Sequence, residues 1–234
     1  MSSLLIKNAS IIATMDGNSP SNTGQELENK SILLKNGIIE DIGILDSKIQ
    51  ADEIIDGKNK IVIPGLVNTH HHLFQTLTKS VKSSQDSSLF DWLKILYPIW
   101  ANINPEQLKS AVKIGLSELI LSGCTTSSDH LYIYPNGIQL EDEIEVANEI
   151  GIRFFATRGS MSVGVSKGGL PPDYLVEEEK NILKDSLRVI QKWKSSSKLS
   201  MINIALSPCS PFSVSEELMK DTALLAREYG VGLH

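Results

Sequence analysis

Residues 65–76 read GLVNTHHHLFQT, and three of the chain's five histidines stand side by side at His70, His71 and His72. Imidazole is a common metal ligand and titrates near neutral pH. The three follow KIVIPGLV, an apolar run of the kind that forms a buried strand. Side chains alternate along a strand, so His70 and His72 face one way and His71 the other. Two imidazoles on one face at a strand's mouth can hold one metal ion at about 2.0–2.1 Å each. His71 then points away, toward packing or a hydrogen bond that supports the ligands. The competing reading is three surface histidines in a loop. Three in a row behind a strand of buried type favour metal.

The elements around the cluster change character near Pro64. Residues 1–63 read as short strands, with a hairpin turning at Asn36-Gly37 and a further strand pair around Asp56-Gly57. This predicts an all-β sheet or small sandwich. From 64 onward strands alternate with amphipathic helices. NPEQLKSAVKIGLSELILSG carries a helix start at Asn104-Pro105 and a stop at Gly123. LEDEIEVANEIG ends at Gly151. DYLVEEEKNILKDSLRVIQKWK is a third helix, with Glu177–Glu179 in its first turn. The fourth starts on a capping box of Ser213 and Glu216 and stops at Gly230. Strands are expected near 63–70, 124–131, 152–160, 201–208 and 231–234. Helix–glycine–strand repeats imply parallel strands with helical crossovers. Periodicity does not separate an open sheet from a barrel. Both put functional residues at the C-terminal ends of strands, where His70–His72, Asp129–His130, Arg158 and Cys209–Ser210 fall.

Bulk properties narrow the class. The 234 residues are 41% hydrophobic and 21% charged, with a formal net charge of −6. That is globular composition without the basic excess of a nucleic-acid binder. No apolar run of about 18 residues suggests a membrane span, and the N-terminus does not read as a signal peptide. Two cysteines, Cys124 and Cys209, are too few for a disulfide framework, so a reduced cytoplasmic setting is expected.

PGLVNTHHHLFQT resembles the first barrel strand of the amidohydrolase superfamily. SLFDWLKILYPIW, GCTTSSDHLYIYPNG, FATRGSMSVGVSKGGLPPD and ALSPCSPFSVSEELM extend the likeness along essentially the whole chain. These segments look most like the 8-oxoguanine deaminase subgroup, with hydroxyatrazine ethylaminohydrolases similar. The resemblance implies an α/β fold: a distorted (β/α)8 TIM barrel with a composite β-sandwich. Residues 1–63 would be the N-terminal portion of the sandwich and 64–234 about the first five strands of the barrel. It implies a hydrolytic deaminase with one divalent metal, zinc or iron, held first by His70 and His72. Water activated by the metal attacks a ring carbon bearing an amine, and ammonia leaves. The expected substrate is a purine-like base, 8-oxoguanine first, with an s-triazine as the alternative. A homo-oligomer is expected for the full-length protein. Binuclear relatives carry a modified Lys on the fourth strand. SMINIALSPCSP has none, and Lys198 precedes it, so one metal is expected.

Other residues are read beside this pattern. Gln75 can bond a ring carbonyl or nitrogen, Arg158 can donate to a substrate oxygen, and Trp92 can wall a flat pocket. Each has an ordinary alternative: a solvated loop, an ion pair and a core position. His130 is expected to support the site by hydrogen bonding, and Cys209 to line the pocket or core. A barrel takes about 250 residues and about 170 follow the sandwich portion. The chain is therefore expected to stop within the fifth strand, as a piece inactive alone or a non-catalytic product. The family's strand-5 His and Glu, strand-6 His and strand-8 Asp would lie beyond it. His234 would stand two residues before the strand-5 ligand, in a supporting place.

Overall fold

A computed structural model describes residues 2–17, 24–197 and 199–234; Lys198 lies outside them. The chain divides into two compact units, Met1–Gly65 and Leu66–His234.

The first unit is one mixed sheet. It contains β1 (Ser3–Ala13), β2 (Glu26–Lys35), β3 (Ile38–Gly43), β4 (Glu53–Asp56) and β5 (Ile61–Val62). The order is β3-β2-β1-β4, with β5 also on β1. The β2–β3 hairpin turns at Asn36 (φ 52°) and Gly37 (φ 78°), the pair of positive φ values that such a tight turn demands. The strands flanking Asp56-Gly57 do not pair with each other. Both run parallel to β1 instead. Ala9, Ile12 and Ile32 form this unit's small core.

The second unit is a parallel β/α sheet. Its elements are β6 (Leu66–Asn68), α1 (Leu89–Trp100), α2 (Pro105–Leu121), β7 (Cys124–Leu131), α3 (Leu140–Ile150), β8 (Arg153–Ser160), α4 (Glu179–Trp193), β9 (Ile202–Pro208), α5 (Glu216–Tyr229) and β10 (Gly232–Leu233). The five strands stand in sequence order, β10-β9-β8-β7-β6, with every pairing parallel. Helices α2 to α5 pack on the strands, so the unit is a run of parallel β/α repeats.

Local chemistry explains most boundaries. Asn104 caps α2 by accepting from the Gln107 N–H, and Gln107 returns the bond to the Asn104 N–H. Gly151 and Gly230 end α3 and α5 in the left-handed conformation. Two expectations need correction. Ser215, not Ser213, caps α5, because Val214 is buried and Ser213 bonds to Ser210 instead. Helix α4 begins at Glu179, leaving Glu177 outside it as an ion-pair partner.

The segment that carries the histidines is held from three sides. Strand β6 ends at Asn68, so His70–His72 lie just past the ladder, and a 3-10 turn over Leu73–Thr78 follows. Leu73 and Phe74 are fully buried there. Gly115 of α2 makes room for this turn, since a Cβ at that position would meet Leu73 Cδ2 at 2.6 Å. The His130 N–H donates to the His71 carbonyl at 2.7 Å, and the Asp129 carboxylate accepts the Leu73 N–H at 2.6 Å.

Candidate metal centre

Four of the five histidines converge at the C-terminal ends of three strands. His70 and His72 follow β6, His130 lies near the end of β7, and His234 follows β10. Alternation persists past the end of β6: the rings of His70 and His72 turn to one side, with Nε2 atoms 3.2 Å apart. His71 turns the other way, its Nδ1 4.0 Å from Asp129 Oδ1 and without a hydrogen bond.

The outer nitrogens are tied down. His72 Nδ1 lies 2.8 Å from the His130 carbonyl, so it donates there and leaves the Nε2 lone pair facing His70. His70 Nδ1 lies 2.7 Å from His234 Nε2. A hydrogen bond that fixes one ring nitrogen while the other faces inward is the pattern of metal-ligating histidine. His130 Nε2 lies 3.2 Å from the Ser207 carbonyl, and the His234 N–H donates to the Leu206 carbonyl.

Two donor sets overlap at His70. One is the His70–His72 pair. The other is His70, His130 and His234, whose candidate ligand atoms all lie within 4.8 Å of one another. Distance separates them. Nitrogens about 2.05 Å from one tetrahedral ion stand roughly 3.3 Å apart. The His70–His72 separation of 3.2 Å fits that value. The His70–His234 separation of 2.7 Å is too short for it and is ordinary for an N–H···N bond. His234 therefore acts on His70, while His70 and His72 present the better-spaced pair.

Electrostatics suits neutral ligands. Burial pulls His72 down to about 4 and His130 to about 3, and it lowers His71 and His234. These rings carry no proton to expel near neutral pH.

A cavity of about 350 Å³ opens over the rings. His70, His72 and His130 line it with Tyr97, Tyr132 and Cys209. Burial raises both phenols and the thiol, so all three stay protonated. Among the described residues lining this cavity there is no carboxylate and no Lys or Arg.

The three expected substrate contacts fall elsewhere. Gln75 and Trp92 line a second cavity of about 280 Å³ beside His71 and Lys79. Gln75 reaches the histidine cavity indirectly, donating from Nε2 to the Tyr132 hydroxyl at 3.2 Å. Trp92 packs edge-to-face on Trp100, with ring centroids 5.3 Å apart. Arg158 is a correction. Its guanidinium is buried, bonds Asp185 and both oxygens of Glu177, and lies 3.9 Å from the Tyr134 ring centroid. The ion pair occupies the donors a substrate would need.

Sequence reasoning missed Tyr132 and Glu143. Tyr132 shares the alternation of His130, two residues earlier, which was a readable signal. Glu143 sits at helical spacing with Leu140, Ile144 and Ala147 on the buried face of α3, where a charge is out of place. It is fully buried beside Asp129, which is also fully buried. Desolvation, reinforced by Asp129, pushes Glu143 well above the ordinary carboxylate range. Desolvation raises Asp129 too, against the Leu73 N–H bond that favours its charge. Burial therefore favours the protonated form of Glu143, whose two oxygens have no hydrogen-bond partner among the described residues.

A parallel β/α sheet with histidines clustered at its strand ends defines part of a (β/α)8 barrel with a cluster that could hold a metal. The amidohydrolase family profile matches residues 61–234, and the chain belongs to that family. An 8-oxoguanine deaminase of Pseudomonas aeruginosa is 47% identical over 181 residues, covering 76% of this chain and 40% of that protein. A hydroxydechloroatrazine ethylaminohydrolase of Pseudomonas sp. strain ADP is 30% identical over 225 residues, covering 90% of this chain and 47% of that protein. The atrazine chlorohydrolase of Arthrobacter aurescens TC1, solved in complex with zinc, superposes with a TM-score of 0.88 at 28% identity, over 99% of this chain and 52% of that one. The chain spans about half the length of the relatives it matches. No helix among the described residues is long and apolar enough to cross a membrane.

Proposed function

We propose that the protein is a metal-dependent hydrolytic deaminase of a purine-like base, 8-oxoguanine, with zinc held first by His70 and His72. The observation that carries this is the 3.2 Å approach of two Nε2 atoms whose Nδ1 atoms are both hydrogen-bonded. The 47% identity to an 8-oxoguanine deaminase supports that substrate over a triazine, whose hydrolase relative stands at 30%. Zinc when bound supplies the acidity that brings a water's pKa to about 7.

The chain's own residues do the rest of what is described here. His130 holds the His72 tautomer through its carbonyl, and His234 holds His70 through Nε2. Tyr132, positioned by Gln75, keeps a neutral hydroxyl near the rings that can donate to a ring carbonyl. Tyr97 and Leu93, both on α1, line one side of the cavity. The test is ammonia release from 8-oxoguanine, guanine and hydroxytriazines by the protein at the full length of its relatives, with zinc loaded. No release from any purine rejects the substrate. Unchanged zinc stoichiometry after His72→Ala rejects the ligand assignment.

A further inference from the structure

Helices α2 to α5 leave a groove between each pair of neighbours, and charges bridge the first two. Lys109 and Lys113 of α2 reach Glu145 and Glu149 of α3, each at 2.8 Å. Arg188 and Lys192 of α4 both reach Glu141 of α3. The groove between α4 and α5 is built differently. It is an open trough of about 490 Å³ lined by Leu183, Leu187, Leu224 and Leu225. Its ends are tied, by the Ser215 hydroxyl donating to Glu179 and by Lys194 donating to the Tyr229 carbonyl. Along its middle, Lys184, Asp221 and Glu228 form the rim. None of the three makes a side-chain hydrogen bond or ion pair among the described residues.

One exposed leucine is ordinary, and Leu224 is 59% exposed. A leucine strip edged by uncommitted charges of both signs is self-complementary, which a two-fold contact between copies requires. The register of the helices supports this. Both are crossovers between successive parallel strands, so they run side by side in one direction. Lys184 and Asp221 each stand five residues past the helix starts Glu179 and Glu216. Leu187 and Leu224 each stand eight past them, and Gln191 and Glu228 each twelve. A two-fold axis along the groove lays α4 of one copy on α5 of the other. Lys184 then meets Asp221, Leu187 meets Leu224, and the Gln191 amide meets the Glu228 carboxylate. Apolar contacts fall in the centre and opposite charges at the edge, as in known interfaces.

We propose that the α4–α5 face is a homodimer interface, in which a second copy of this chain covers the leucine groove and pairs Lys184 with Asp221 across the two-fold axis. The assignment is independent of the chemistry proposed for the histidines. Two helices of this length present a face roughly 20 Å on each side, at the small end of interfaces between proteins. Association is therefore of the weak class, and its dissociation constant falls in the micromolar range, about 1–100 µM.

Sedimentation of the 234-residue chain from about 1 to 300 µM tests this, the range that such a constant requires. The parent protein is expected to pass from monomer to dimer. Leu224→Glu should raise the dissociation constant at least tenfold. Lys184→Glu and Asp221→Lys should each raise it several-fold, and the two together should bring it back near the parent value. All three sites are on the helix surface, and unchanged thermal unfolding of the diluted variants separates lost association from lost fold. A chain that stays monomeric throughout overturns the interface and leaves the groove to a partner other than a copy of itself. Association that Leu224→Glu leaves unaltered also overturns it, because the contact then lies on another face. Single charge changes that weaken the dimer without recovery in combination overturn the Lys184–Asp221 pairing.

Discussion

His70 and His72 differ from His71 by one step of backbone alternation, and in the proposed site that step divides metal ligands from support. Removing either inward ring leaves one well-spaced donor. His70→Ala and His72→Ala should each abolish stoichiometric zinc uptake, while His71→Ala should retain it; cobalt substitution and absorption titration would show the difference. The same burial that keeps the rings neutral sets a pH dependence. In the unfolded chain these histidines bind protons near 6.5, whereas folded His72 and His130 resist to about 4 and 3. Between those values the unfolded state binds more protons, so stability rises with pH. Their contribution is complete above 6.5 and is lost as pH falls toward 4 to 3. Urea midpoints of the metal-free chain should drop between pH 7 and pH 4.5, and His130→Asn should flatten that drop. An unaltered slope would contradict the neutral-ring account. At this scale the sequence was legible where one residue's direction followed from its neighbours, as for the histidines. It was not legible for Arg158, whose partners Glu177 and Asp185 lie 19 and 27 residues away in the chain.

Elements turned on local rules, and they were readable to the extent that those rules were strong. The Asn104 cap and the Asn36-Gly37 turn were legible because both rest on partners within a few residues. The pairing of β4 and β5 with β1 was not, because a parallel partner is chosen by tertiary packing rather than by an adjacent turn. The β7–α3 contact holds the least expected feature, the buried Asp129–Glu143 pair. Glu143 has its folded pKa raised, so its protonated form is what the fold prefers. The stability it lends is present below its unfolded pKa of about 4.3 and declines as pH rises toward the folded value. Glu143→Gln keeps the shape of the side chain and removes the ionisation. The variant should match the parent protein near pH 4 and exceed it in thermal stability at pH 8. Asp129→Asn should destabilise at both, because it weakens the acceptor for the Leu73 N–H that orients the histidine turn. Arg158→Ala strands Glu177 and Asp185 beside a buried site. Breaking such a pair costs about 3–5 kcal/mol, and the partial exposure of both carboxylates places this one toward the lower end. Calorimetry on the variant, beside unchanged ligand binding, would separate this structural role from substrate contact.

The whole second unit is organised by the curl of its sheet. Strands β6 and β10 are the two edges of the order β10-β9-β8-β7-β6, yet the residues just past their ends, His70 and His234, stand 2.7 Å apart between ring nitrogens. A flat sheet would hold edge strands roughly 19 Å apart across four spacings of about 4.8 Å. The two imidazole side chains span part of that distance and curvature of the sheet closes the rest at the C-terminal rim, where the rings meet. An ion at His70 and His72 would act on this closure, because His234 bonds to His70 and His130 to His72. Binding to the folded state alone stabilises by about 2.7 kcal/mol at a ligand concentration of 100 Kd. For a chain of this length that is a rise in melting temperature of roughly 5 to 11 °C. Zinc should produce such a rise in the 234-residue chain, and a chelator should reverse it. His70→Ala should erase the effect, since it removes both the donor and the tie to β10. His234→Ala should leave a smaller rise, because it removes the tie and spares the donor pair. Equal zinc responses in the parent protein and His70→Ala would show that the ion binds elsewhere, and equal responses in His234→Ala and the parent would show that the rim contact does not couple the edges.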